Sequence, residues 1–213
     1  MTEREQTIVY PVYEGLYVNL TNRCSCACTF CIRQSASGVG LDGNGGANNL
    51  WLDHEPSFEE VMAAIEEQDM SRYRELVFCG YGEPTYALDV LKPVAAEVKR
   101  RYGLPVRVNT NGQGSLIHGR DIAPEFAGIV DTVSISLNAP TAEEYVALCR
   151  PKFGAAAYPA MLKFAEEVKR HVGKVILSVV GTDALTPEKE TACRRIAASL
   201  GITLRVRRFV PKG

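Results

Sequence analysis

The chain has no apolar run long enough to cross a bilayer and no secretory hydrophobic segment near Met1. Neither a membrane-spanning nor an exported protein is expected. It also lacks net charge: 24 Lys and Arg against 25 Asp and Glu leave −1, with no general pull towards nucleic acid or an anionic membrane. Histidine is scarce, and His54, His118 and His171 have no metal-like spacing. No low-complexity tail, linker or repeat divides the 213 residues, which fit one domain spanning 1–213. A hydrophobic fraction of 46% and a charged fraction of 23% are ordinary for a globular chain. The seven cysteines are an odd number and mostly clustered, which argues against a disulfide framework and for a reducing, cytoplasmic setting.

Four of those cysteines fall between Asn19 and Arg33, and Cys24, Cys28 and Cys31 have the spacing C-x3-C-x2-C. A short loop with three thiolates can wrap one face of an iron–sulfur cubane, which normally takes four cysteine ligands. Three ligands leave one iron open, and an open position is where a metal centre does chemistry. Phe30 adds a flat face beside it. Two other readings stay open on the residues alone. Cys28 and Cys31 suit a thiol redox pair, and the same four thiols could close a structural zinc site. Cys26 reads as a non-ligand facing away from the others.

Strand and helix signals alternate along the chain. Strands are expected at Leu16–Thr21, Glu75–Cys79, Val106–Asn109, Thr132–Leu137, Val175–Val180 and Thr203–Arg208. Helices are expected from Ser57 to Gln68, Leu88 to Arg101 (with a possible kink at Pro93), Asp121 to Ile129, Thr141 to Cys149, Tyr158 to His171 and Thr186 to Leu200. Six such units with crossovers of this length imply parallel, right-handed pairing. Chemistry-bearing motifs follow the strand ends, as they do in barrels. The fold class is therefore α/β, an incomplete (β/α)6 TIM-like barrel with parallel strands. The cysteine loop occupies 22–34, and a flexible Gly/Asn-rich loop is expected over 35–52.

Parallel strands are usually apolar on both faces, yet several here alternate. Val133, Ile135 and Leu137 oppose Ser134, Ser136 and Asn138, while Leu204 and Val206 oppose Arg205 and Arg207. The apolar set should face the helices and the polar set the lumen. An unpartnered buried polar group costs about 1–3 kcal/mol, so half a dozen would cancel most of a typical stability of roughly 5–15 kcal/mol. Water in a solvated cleft, or a nucleoside with ribose hydroxyls and an adenine edge, must fill that lumen. The C-terminal fifth is basic through Arg194, Arg195, Arg205, Arg207, Arg208 and Lys212, suiting a phosphate-bearing substrate, an acidic electron donor or simply a solvated face. Cys79, Cys149 and Cys193 read as small core residues.

The C-x3-C-x-aromatic-C loop, taken with Gly80-Tyr81-Gly82-Glu83-Pro84, resembles the radical S-adenosylmethionine (SAM) superfamily. The resemblance implies that Cys24, Cys28 and Cys31 ligate a 4Fe-4S cluster, with SAM on the open iron. It implies reductive cleavage of SAM to a 5′-deoxyadenosyl radical that abstracts hydrogen from an unidentified substrate, with electrons from a flavodoxin or ferredoxin. Gly80 and Gly82 would let the backbone approach SAM, with Glu83 facing its ammonium. Phe30, Asn109, Asn111, Ser134, Ser136, Asn138, Thr182 and Arg207 are further candidate contacts. The short chain and its Asn49–Leu52 segment look most like the small proteins associated with TatD-type nucleases. A glycyl-radical activase acting on a partner protein and a non-catalytic iron–sulfur redox protein are the alternatives.

Overall fold

The period-2 pattern of the strands decides which face is buried. Val106, Val108, Val133, Ile135 and Leu137 have no exposed surface, because each points away from the lumen into the helix layer. A computed structural model describes residues 6–34, 39–40 and 47–208. The chain opens with β1 (Val9–Val12) and β2 (Gly15–Val18), then a two-residue ribbon of β3 (Val39–Gly40) and β4 (Ala47–Asn48). Helix α1 (Phe58–Glu66), β5 (Glu75–Phe78), α2 (Leu88–Tyr102), β6 (Val106–Thr110) and α3 (Gly114–His118) follow. The remainder is β7 (Thr132–Ser136), α4 (Ala142–Cys149), α5 (Ala157–Val168), β8 (Lys174–Gly181), α6 (Pro187–Ser199) and β9 (Thr203–Arg208).

The main sheet has seven strands in the order β1-β2-β5-β6-β7-β8-β9. All pairs from β2 to β9 are parallel, so the six-unit, unclosed barrel is the fold of this chain. Strand β1 is an addition to that expectation and pairs antiparallel with β2. Pro11 is tolerated there because β1 lies at the sheet edge. The helix starts follow their caps. Ser57 and Glu60 form a reciprocal capping box, and the Thr186 hydroxyl accepts from Lys189 N at the head of α6.

Four expectations need correction. The helix placed over Asp121–Ile129 is a single 3-10 turn, Ala123–Phe126, followed by Gly128 at φ +77°, and the helical segment of that crossover is α3. Pro93 sits inside α2, which continues through it. Val206 shares the helix side of β9 with Leu204 but is not covered there. It is 38% exposed, because β9 is the opposite edge of the sheet.

The last correction concerns the loop expected over 35–52. Residues 35–38 and 41–46 lie outside the described residues, but Asn49–Leu52 is firmly seated. Leu50 and Leu52 are buried, and Trp51 meets Tyr81 edge-on with centroids 5.3 Å apart. Asn19, fully buried, donates to the Leu50 and Thr7 carbonyls at 2.7 and 3.2 Å. Asn22 exchanges two bonds with the backbone of Leu52. Among the described residues, no helix is long and apolar enough to cross a membrane.

Asn19→Ala should therefore orphan two carbonyls and release the 49–52 segment. The expected loss is about 1–3 kcal/mol in urea unfolding, with faster proteolysis after Asn48. Unchanged stability and cleavage would show that the segment is held by other contacts.

Candidate active site

The cysteine loop starts where β2 ends and is tied down by a helix terminus. The last carbonyls of a helix have no partner within it, and those of α4 are used by the loop. Ala27 N donates to Cys149 O at 3.1 Å and Thr29 N to Leu148 O at 3.0 Å, while Lys152 N donates to Ser25 O at 2.8 Å. Cys26 and Pro151 complete an isolated antiparallel bridge. The loop is thus shaped by backbone bonds rather than by its cysteines.

The thiols form a chain. Cys26 hydrogen-bonds Cys24 and Cys28, and Cys28 in turn reaches Cys149. Cys26 therefore does not face away: it lies between two expected ligands and takes a 3.1 Å bond from Gln113 Nε2. Hydrogen bonding to Cys26, with burial, pushes the Cys24 thiol well above its ordinary range, and the Cys149 contact does the same for Cys28. Cys26 is pulled down by Cys24, but its bond to Cys28 and burial outweigh that and push it up to about 12. Among the described residues, no three His, Cys, Asp or Glu side chains gather closely enough to hold a single metal ion. A cubane spreads its thiolate ligands more widely than one ion does, and three partly exposed thiols on one short loop suit it.

Against this loop lies the segment after β5. A Cβ on Gly80 would sit 2.0 Å from Asn19 Oδ1, and one on Gly82 would sit 2.1 Å from Thr21 O and 2.7 Å from Arg23 O. Only glycine fits at either position. Glu83 N then donates to Arg23 O at 2.8 Å, locking the two segments together. The Glu83 carboxylate is 3% exposed and takes four donors. Its Oε1 accepts from Thr85 N, Thr85 Oγ1 and Thr110 Oγ1, and its Oε2 from Asn111 N at 2.6 Å. Burial nevertheless raises its pKa above the ordinary carboxylate value. Oε1 thus carries three donors and Oε2 a single one, so Oε2 is the less engaged oxygen and the one with room for a cation. Asn111 extends the network, donating to Ser25 Oγ at 2.9 Å and reaching the Cys24 and Cys26 sulfurs.

These groups border a cavity of about 950 Å³. Cys28, Phe30 and Cys31 line it from the cysteine loop, and Gly80, Gly82 and Glu83 from the adjoining wall. Asn109, Asn111, Ser136 and Arg207 face it from the lumen. Ser134 does not line it, because the Arg205 guanidinium lies over its hydroxyl at 3.5 Å. Asn138 and Thr182 line a separate hollow of about 270 Å³, which shares only Val180 with the first. Cys149 and Cys193 are core residues, but Cys79 borders the cavity.

Several contributors escaped the sequence reading. Tyr17 and Arg107 form a floor in which the Arg107 guanidinium meets Glu75 through two bonds and the Tyr17 hydroxyl at 3.2 Å. The alternation of β2 and β6 already places Tyr17 and Arg107 on the polar face. Gln113, bridging Cys26 and the Tyr145 hydroxyl, has no such signal. Buried polar atoms without a partner include Asn109 Oδ1 and the Nε atoms of Arg205 and Arg207. Such atoms in a cavity of this size suit a polar occupant. Thiol donors, a glycine shelf and unpartnered lumen groups together fit an iron–sulfur cluster with a nucleoside cofactor.

A half-open parallel barrel with three thiols and a glycine shelf at its strand ends defines a cofactor-dependent enzyme. Residues 18–196 match the Radical SAM superfamily, and the chain belongs to that superfamily of radical SAM enzymes. Membership implies a 4Fe-4S cluster and SAM. A relative from Pyrococcus furiosus, the tungsten-containing aldehyde ferredoxin oxidoreductase cofactor-modifying protein, is 29% identical over 174 residues. That match covers 78% of this chain and 43% of the relative, so the chain spans less than half the relative's length. SuiB of Streptococcus suis bound to S-adenosylmethionine superposes with a TM-score of 0.67 at 14% identity, covering 94% of this chain and 41% of SuiB. SuiB bound to its precursor peptide SuiA superposes with a TM-score of 0.66 at 15% identity, covering 95% of this chain and 40% of SuiB. The hydrogenase maturase HydG from Carboxydothermus hydrogenoformans gives 0.64 at 15% identity, covering 94% of this chain and 45% of HydG. Likeness at these identities speaks to the fold.

Gly82→Ala should force the Thr21 and Arg23 carbonyls apart, losing about 1–3 kcal/mol in denaturant unfolding. A variant as stable as the parent would mean that the two segments are not pressed together.

Proposed function

We propose that the chain binds a 4Fe-4S cluster through Cys24, Cys28 and Cys31 and uses it with SAM to abstract hydrogen from a substrate in the lumen. The observation that carries this is the three-thiol loop bonded to the Gly80–Glu83 shelf at the mouth of the 950 Å³ cavity. Bound there, cluster and SAM would together supply a 5′-deoxyadenosyl radical.

The protein's own part is holding and shielding. The Gly80–Gly82 backbone and the Glu83 carboxylate would receive the SAM ammonium, whose charge would offset the burial that raises the Glu83 pKa. Phe30 offers a face to the adenine. Asn109 and Ser136 present polar groups to the ribose or the substrate, and Asn138 and Thr182 serve the adjoining hollow. The 1–213 span acts as one unit. Leu50, Tyr81 and Tyr10 close one flank against water and oxygen.

A low-potential donor of flavodoxin or ferredoxin type would supply the electron, and the clustered thiols suit the cytoplasm. Action on a peptide or partner protein, as an activase would require, is the second reading. It is supported by the open side between β1 and β9 and by the peptide-bound SuiB likeness. The Asn49–Leu52 segment, packed beside the cysteine loop, keeps the tie to the TatD-associated proteins. A purely electron-carrying role leaves Glu83 and the lumen without a purpose.

Anaerobic reconstitution with iron and sulfide should load about four irons per chain, and dithionite with SAM should release 5′-deoxyadenosine. Cys24→Ala, Cys28→Ala and Cys31→Ala should each abolish both, whereas Cys26→Ala should keep most of its iron. Equal iron loss in all four variants would favour a saturated four-thiolate site and contradict the proposal.

A further inference from the structure

Three acids line the large cavity, and each is already engaged. Glu14 pairs with Arg74 at 3.0 Å, and Glu75 pairs with Arg107 at 2.6 Å. Glu83 takes four hydrogen bonds beyond the end of β5. Arg205 and Arg207 are the cavity's unbalanced cations, for neither has an ion-pair partner among the described residues. Each spends one Nη2 on a long contact, 3.5 Å to Ser134 Oγ and 3.4 Å to Ser136 Oγ. Each leaves a buried Nε without any partner. A guanidinium carries five N–H donors in a fixed fork, so most of this donor capacity is unspent.

The two arginines stand two residues apart on β9, on one face, separated by about 6.6 Å along the strand. Register sets them across from the serines: Arg205 pairs with Ser178, which pairs with Ser136, and Arg207 pairs with Val180. Two like charges held side by side, partly buried, repel each other, and burial pulls the Arg207 pKa below its ordinary value. A chain keeps such a pair where an anion balances it.

We infer that Arg205 and Arg207 form the anion-binding subsite for the substrate, and that the substrate carries a phosphate group. The inference rests on the proposed function, since it assigns the cluster side of the cavity to SAM and this side to the substrate. Charge decides between the oxyanions: two guanidinium groups are balanced by a phosphomonoester of about −1.5 to −2, not by a single carboxylate. Position separates the subsite from SAM's own carboxylate. That group shares a carbon with the ammonium assigned to Glu83, beyond the end of β5. Strand β9 is four places from β5 in the sheet order, with β6, β7 and β8 between them.

The test is calorimetric titration of inorganic phosphate, in phosphate-free buffer, into the SAM-saturated reconstituted chain and into the chain as purified. One site is expected, weakened at least tenfold by Arg205→Gln or by Arg207→Gln, with acetate binding at least tenfold more weakly than phosphate. With no ligand present, the double variant Arg205→Met, Arg207→Met should melt several degrees higher than the parent, because the repelling charges are gone. A lower melting temperature would make the pair structural and overturn the inference. So would absent phosphate binding, phosphate affinity untouched by the substitutions, acetate binding equal to phosphate, or displacement of SAM by phosphate. Titration of the chain as purified reads phosphate alone. Failure to load iron or bind SAM therefore counts against the proposed function and leaves this result standing.

Discussion

The site depends on a contact that leaves no room for a side chain. Gly80 and Gly82 press against Asn19, Thr21 and Arg23 so closely that any Cβ would overlap a carbonyl or amide oxygen. This approach brings the segment after β5 onto the loop after β2 and lets Glu83 N bond Arg23 O. Everything nearby inherits its position from that contact. Glu83 holds Thr110 and Asn111 at the end of β6, and Asn111 reaches back to Ser25 and the thiols. Three adjacent strand ends are thereby fixed relative to one another. Pre-organisation of this kind is what a cofactor site needs from its scaffold.

The same economy appears in the cysteine loop. Its amides satisfy the terminal carbonyls of α4, so the thiols themselves are spared structural duty. They remain partly exposed and linked by weak S–H contacts that a metal readily replaces. On the far side of the lumen the chemistry changes sign. The Arg107–Glu75 pair closes the floor as a neutral unit, while Arg205 and Arg207 leave positive charge uncompensated. The cavity thus has an acidic, cation-accepting end and a basic, anion-accepting wall.

Much of this was legible because parallel strands with a polar face are unusual. The alternation of Val133, Ile135 and Leu137 with serines identifies both the strand and its orientation before any contact is known. The three thiols and the Gly-x-Gly-Glu segment announce themselves by local spacing. Other features depend on contacts between distant parts of the chain. Strand β1 is four residues long and contains Pro11, so nothing local marks it; pairing with β2 creates it. Pro124 and Gly128 break the apparent helix over Asp121–Ile129 into one turn. Cys26 turns inward because Gln113, eighty-seven residues away, offers it a donor. Ser134 loses the cavity to Arg205, whose side chain reaches it diagonally across β8 from a register position two residues further on.

The central claim is an iron centre with one position open to SAM, and electron paramagnetic resonance of the dithionite-reduced, reconstituted chain tests it most directly. The account predicts the signal of a reduced 4Fe-4S cluster whose g-values and line shape change when SAM is added. A cluster signal indifferent to SAM, or no cluster signal at all, would contradict it.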